Sequence, residues 1–392
     1  MSEQAQAPAV EEVVIDSVDS LFTAMRSDDL GAVLGIFRAI SEDPEAALAM
    51  GKHMDKDVID EMIHQSYQRQ GITFLQVILV TLAAFDDERV VTHFLKLLHQ
   101  LSNYDAVQII AGRLALEPVE TIEDLVRPLL MQEQSRLHAA AAADLLHSLP
   151  TLTAAERLRV SVANSIEVNI APPIDAGTVD EWLSELNGWY APRARILAAS
   201  VDEASFLTLA SRFSRLSNEN REWLLGLGVQ KHPLAAIPVL REGLKDDDPE
   251  VVLAALSAIS NLGPARTLFA AEVTPLVANS DVRIKIAAIH AGAQSLDYRG
   301  LLADESTPEL ISRVLERYTE EPGADPALME PLLSSGDWRI RGAASTAFVR
   351  LGESTRELLR NHALAEDLGE RVAATQALVE LGDYEWLELN TL

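Results

Sequence analysis

The chain has 392 residues, of which 48% are hydrophobic, only 5% are aromatic and none is cysteine. Its 60 acidic residues outnumber 32 basic ones, for a formal net charge of -28. Disulfides, thiolate catalysis and Cys-ligated zinc are thereby excluded. Phosphate backbones and anionic lipid become poor long-range partners, and the abundance of Ala and Leu over aromatics suits closely packed helices better than a β-sandwich.

Taken in chain order, Met1 to Asp19 is acidic and lacks the basic start and apolar core of a signal peptide, so residues 1–18 are expected to form a mobile tail. From Asp19 onward apolar residues recur at spacings of three and four, as in Leu21, Phe22 and Met25, then Leu30, Val33, Leu34 and Phe37, and later Val90, Val91, Phe94, Leu95, Leu97 and Leu98. That spacing predicts amphipathic helices. The longest apolar stretch, Ile72 to Phe85, is about 14 residues, contains Thr73, Gln76 and Thr81, and is too short to span a bilayer. A cytoplasmic protein without membrane contact is the expectation. Residues 169–178, with Pro172, Pro173 and Gly177, form the clearest interior break, which predicts an N-terminal helical segment over 19–170 and a second over 171–392. Just beyond it, Trp182, Trp189 and Tyr190 gather beside Arg193 and Arg195, a set suited either to gripping a partner or to plugging a joint between helical stacks.

In the C-terminal third, four segments opening at Asp248, Asp281, Asp337 and Asp367 superimpose without a gap. Ala254, Ala287, Ala343 and Ala373 coincide, as do Ala255, Ala288, Ala344 and Ala374; Gly263, Gly352 and Gly382 close three units, with Leu296 in the fourth. The offsets are 33, 56 and 30 residues, the middle one spanning two periods, with a degenerate unit near Thr307. Such a period marks a chain that stacks units, each too small to bury its own apolar face. An Asp at each start is placed to cap a helix, paired alanines permit close helix approach, and the terminal Gly permits a left-handed stop.

With their Asp-Pro-x-Val, Ala-Ala and Leu-Gly elements, these segments resemble HEAT repeats of the short bacterial type over about residues 244–382. The resemblance implies an all-α fold, an α-solenoid of helix pairs with essentially no β-strand, whose concave side binds a protein; it transfers no catalytic residue. Lys285, Arg341 and Arg371 share one column with Val252, and basic residues there are expected either to pair with the Asp column or to form a ladder for an acidic ligand. Asp57, Asp60, Glu61 and His64 share a helix face with Glu-x-x-His spacing, a lone copy of a pattern that metal bundles use twice. Asp246-Asp247-Asp248 lacks the ligand spacing and Gly turn of a calcium loop. No cofactor or metal is expected. The sequence thus predicts a non-catalytic scaffold or adaptor that binds another protein carrying a basic or extended segment. Two alternatives stand beside it. One is an enzyme similar to the phycobilin lyases, holding a planar chromophore near Trp189, Tyr190 and His232. The other is a nucleic-acid-binding protein using Arg193, Arg195, Arg212, Arg215, Arg341 and Arg371.

Overall fold

The computed structural model describes residues 18–390 apart from 28, 54–56, 69–70, 133–134, 165–168 and 304–306. Of the expected tail, residues 1–18, all but Val18 lie outside the described residues, and Val18 opens the first helix. Among those described there are 24 α-helices, six 3-10 segments and no strand. They divide into two compact units, Met1–Ser200 and Val201–Leu392.

The first unit holds α1 (Val18–Met25), α2 (Leu30–Glu42), α3 (Pro44–His53), α4 (Val58–Gln68), α5 (Ile72–Leu82) and α6 (Glu88–Leu98). It continues with α7 (Tyr104–Leu114), α8 (Val119–Leu130), α9 (Arg136–Leu146), α10 (Ala154–Ala163), α11 (Val179–Asn187) and α12 (Ala191–Ala198). Short connections make α4–α5, α6–α7 and α8–α9 antiparallel neighbours, and these hairpins stack: α2, α5, α7 and α9 touch in succession, as do α4, α6, α8 and α10. One apolar core runs along the stack from Phe22 to Ala163. The stretch Ile72 to Phe85 forms α5, whose Ile78, Leu79 and Leu82 are fully enclosed.

The second unit holds α13 (Glu203–Ala210), α14 (Asn218–Lys231), α15 (Ile237–Gly243), α16 (Pro249–Ser260), α17 (Ala270–Val273) and α18 (Val282–His290). After these come α19 (Tyr298–Ala303), α20 (Pro308–Tyr318), α21 (Trp338–Leu351), α22 (Arg356–His362), α23 (Leu368–Glu380) and α24 (Tyr384–Asn390). Its spine is a row of second helices, α14, α16, α18, α20, α21 and α23, each touching the next. The double-length offset between Asp281 and Asp337 is explained by α20, which fills the intermediate place with Thr307 at its N-cap. The companion row is irregular. Segments Gly263–Phe269, Thr274–Ala278, Pro326–Leu328 and Glu330–Ser334 are 3-10 helices, each with a proline in its first turn. Proline lacks the N–H that a continuing α-helix needs, so runs punctuated by it stay short and tight.

Two sequence expectations are corrected. The break at residues 169–178 is not where the units part, because it is packed inside the first unit: the Trp182 indole Nε1 donates to the Pro172 carbonyl at 3.2 Å, Ile174 is buried, and α11 and α12 pack on α10. The division of the chain falls instead between Ser200 and Val201. The second correction concerns the fourth repeat stop, which is Gly292 and not Leu296: α18 ends at His290, a turn earlier than gapless register implies, and Gly292 takes φ +97°. In the other three units Gly263, Gly352 and Gly382 adopt φ of +58°, +79° and +72°, a region that a Cβ disfavours.

Candidate functional site

In the second unit the repeated aspartates all sit at helix starts. Asp248 accepts from the backbone N–H of Glu250, Asp281 from Arg283, Asp337 from Arg339 and Asp367 from Glu370. Each capped donor would otherwise lack an intrahelical partner. At Asp281 and Asp337 the cation that pairs with the cap stands two residues after the Asp, not four. Arg283 reaches Asp281 at 2.8 Å and, in the preceding repeat, Glu250 at 2.7 Å; Arg339 reaches Asp337 at 2.8 Å and Glu309 of the preceding repeat at 3.1 Å. Hydrogen bonds from these guanidinium groups hold the Asp281 and Asp337 carboxyls below the usual carboxylate range. The first unit repeats the device: Arg89 binds Asp87 at 2.9 Å, Asp57 at 2.6 Å and Asp60 at 3.0 Å.

The column that sequence spacing had singled out behaves differently, and its expected pairing with the Asp column is not what forms. Arg341 donates to the Ser335 carbonyl at 2.6 Å, and Arg371 donates to the carbonyls of Ala365 at 3.1 Å and Glu366 at 3.3 Å. Both tie the loop ahead of their own helix. The reason is steric direction, since a side chain one turn into a helix points back toward its N-terminus. Arg341 also lies against the next repeat, where a Cβ on Gly369 would come within 2.7 Å of its guanidinium carbon. Lys285 is half-buried and forms no side-chain hydrogen bond or ion pair with a described residue.

Where α14 meets the loop before α16 there is an open hollow of about 550 Å³, lined by Glu242, Asp246, Asp247 and Asp248, with Arg221 and Lys245 as its cations. Arg221 is paired with Asp246, and Asp246 also accepts from the Asp248 backbone N–H at 3.0 Å. Glu242 and Asp247 are exposed on the rim. The mouth is therefore predominantly anionic.

In the first unit the expected aromatic set is only partly gathered. Trp182 is 2% exposed and serves the core, so it offers nothing to a partner; its indole anchors the proline segment. Trp189 is 52% exposed. The cations stacked on the aromatic pair are Arg136 and Arg159, from α9 and α10, while Arg193 and Arg195 lie half-buried on α12. Arg136 sits 5.5 Å from the Trp189 ring centre and 6.0 Å from that of Tyr190, and donates to the Trp189 carbonyl at 2.9 Å. On the other side Arg159 lies 5.5 Å from the Tyr190 ring and forms a buried ion pair with Glu185 at 2.7 Å. Burial pushes the Tyr190 phenol above its ordinary value, against the pull of the two arginines. Spacing along the chain could not reveal Arg136 and Arg159, because they arrive from other helices.

The remaining motifs are occupied internally. Glu61 is held by Arg26 at 3.0 Å through two hydrogen bonds, and Asp57 and Asp60 by Arg89, which leaves no free carboxylate pair beside His64. Among the described residues no group of three or more His, Asp or Glu side chains could hold a metal ion. His232 contacts the Val201 carbonyl at 3.3 Å and packs on Phe206. No helix among the described residues is long and apolar enough to cross a membrane.

The family model for the HEAT repeat matches residues 236–265, the stretch from the start of α15 through α16 to the Gly263 turn. That segment of the chain is a HEAT repeat. No curated protein matches the sequence. HEAT repeats generally mediate protein–protein interaction and are typically not enzymes; their stacked units create the extended binding surfaces that such arrays use. Within this chain α15 and α16 form the matched helix pair, and the spine helices α18, α21 and α23 share its Asp cap and its buried alanines, whereas α14 and α20 begin at Ser217 and Thr307.

Proposed function

We propose that this chain is a non-catalytic, cytoplasmic scaffold or adaptor that binds a partner protein through a basic, extended segment. The supporting observation is how the cations are spent. Arg89, Arg283 and Arg339 neutralise carboxylates of their own and the preceding repeat, while Arg341 and Arg371 bind loop carbonyls. With basic side chains committed internally and a net charge of -28, the surface left for a partner is anionic. The hollow rimmed by Glu242 and Asp247 is the recess where a Lys or Arg of that partner is received. Such complementarity governs association rate and partner choice more than raw affinity.

The same commitment of arginines makes nucleic acid the poorer alternative. The chromophore alternative is weakened because Arg136 already stacks on Trp189 and His232 is engaged with Val201 and Phe206. A direct test is binding of the full chain to an array of arginine- and lysine-rich peptides at low and high salt, beside a variant carrying Glu242→Lys and Asp247→Lys. The expected outcome is salt-sensitive binding that weakens about tenfold or more in the double variant. Equal binding by both proteins would remove the hollow from this function, and no peptide bound at low salt would end the proposal.

A further inference from the structure

The last spine helix, α23, leaves uncovered among the described residues the face that its predecessor uses for stacking. In the 30-residue register Thr375 takes the place of Ser345 and Val372 that of Gly342. Ser345 faces the next repeat, since its hydroxyl donates to the Ala373 carbonyl at 2.9 Å. On α23 that same face presents Leu368 at 66% exposure, Val372 at 56% and Val379 at 40%, with Leu364 beside them at 58%. They line a shallow hollow of about 830 Å³ that also includes Arg371, Thr375, Gln376 and Glu380. Residues 368, 372, 375 and 379 follow the four-three-four spacing of one helix seam. An apolar strip of this kind with polar flanks marks an association surface.

We infer that this face pairs with a second copy of itself, α23 against α23, about a two-fold axis. Charge selects that occupant. In an antiparallel pair whose midpoint falls between Thr375 and Gln376, Val372 of one copy opposes Val379 of the other, and Arg371 opposes Glu380. A two-fold axis makes both contacts occur twice, so the surface is complementary to itself. Leu364, Leu368, Val372 and Val379 are few beside the roughly 20–30 residues a side of a standard stable interface, so the dimer forms reversibly with concentration. The inference is independent of the acidic hollow and of the partner that hollow receives.

Sedimentation of the full chain over a range of concentrations tests it, with E380R and V372E as variants at exposed positions outside the core. The expected result is a monomer–dimer equilibrium in the native chain, weakened about tenfold or more by E380R, which sets like charge against Arg371 twice, and by V372E, which puts a charge in the seam. Mixing E380R with R371E should restore a dimer containing one copy of each, since both cross-axis charge pairs then regain opposite signs. Because Arg371 also holds the Ala365 and Glu366 carbonyls, a thermal melt of R371E accompanies the mixture. If that variant fails to fold, E380R and V372E decide alone. A native chain that stays monomeric throughout, or a dimer that both variants leave unchanged, overturns the inference.

Discussion

Both units bury large and small side chains together, but in the first unit Phe37, Phe94, Ile110 and Leu114 stand beside alanines at no fixed interval, whereas along the spine of the second unit Ala255, Ala288, Ala344 and Ala374 are fully buried at one recurring place of the repeat. Interaxial distance depends on the side chains at the contact. Large residues hold helices apart and reward both members of a pair for being full α-helices. Alanines bring the spine helices close, so that successive repeats are joined mainly through the spine while several companion segments have shrunk to 3-10 turns. The two regions use one plan of stacking with a different recurrence of small side chains, and a large enclosed residue and a seam alanine should therefore fail to opposite kinds of substitution.

The largest expected effect is in the first unit. Phe94→Ala should cost about 3–5 kcal/mol, because the ring is wholly enclosed and its removal leaves a cavity. Chemical denaturation followed by far-UV circular dichroism should show the first unit's transition moving and the second unit's staying in place.

Next comes acid. His93 is 3% exposed, with its ring nitrogens 3.0 Å from the Ser66 hydroxyl and 3.2 Å from the Tyr67 hydroxyl. Burial, helped by Lys96, lowers its pKa to about 4. The folded state keeps this imidazole neutral while the unfolded chain protonates it near 6.5, so unfolding takes up a proton between these values. Stability is full above pH 6.5 and falls by up to about 3 kcal/mol as pH drops toward 4. His93→Gln should flatten that part of the stability–pH curve, and an unchanged slope would show that other groups carry it.

In the second unit the sensitive change is the reverse one. Ala344→Leu should destabilise by about 1–3 kcal/mol through overpacking of the α21 seam, with little effect on the first unit. If thermal melting shows the variant as stable as the native chain, the alanine seams are looser than described. The smallest effect is capping: Asp337→Ala should cost about 1 kcal/mol by releasing the backbone donor of Arg339, a change small enough to require denaturant titration.

The helical class and the repeat of the second unit were legible because they are written in local periodicity. Asp caps, paired alanines and terminal glycines occupy fixed offsets whatever their neighbours do. The 3-10 companion row was not legible as such, although its prolines stood in view, because short turns and frayed helices share the same residues. Nor did the charge network show itself from the column chosen. Asp87-Glu88-Arg89, Asp281-Val282-Arg283 and Asp337-Trp338-Arg339 carry its signature, but the acceptors Asp57, Glu250 and Glu309 lie one repeat back.

The sequence by itself determined that this protein is made of helices, where the clear repeats begin, and that its surface is acidic, because propensity, capping and net charge are properties of short segments or of composition. Only the tertiary structure decided which arginines remain for a partner, which of Trp182 and Trp189 faces water, and that Arg136 and Arg159 complete the aromatic corner. These depend on side chains from helices distant in sequence meeting at one place, and the pattern of a single chain segment does not encode which neighbour it will meet.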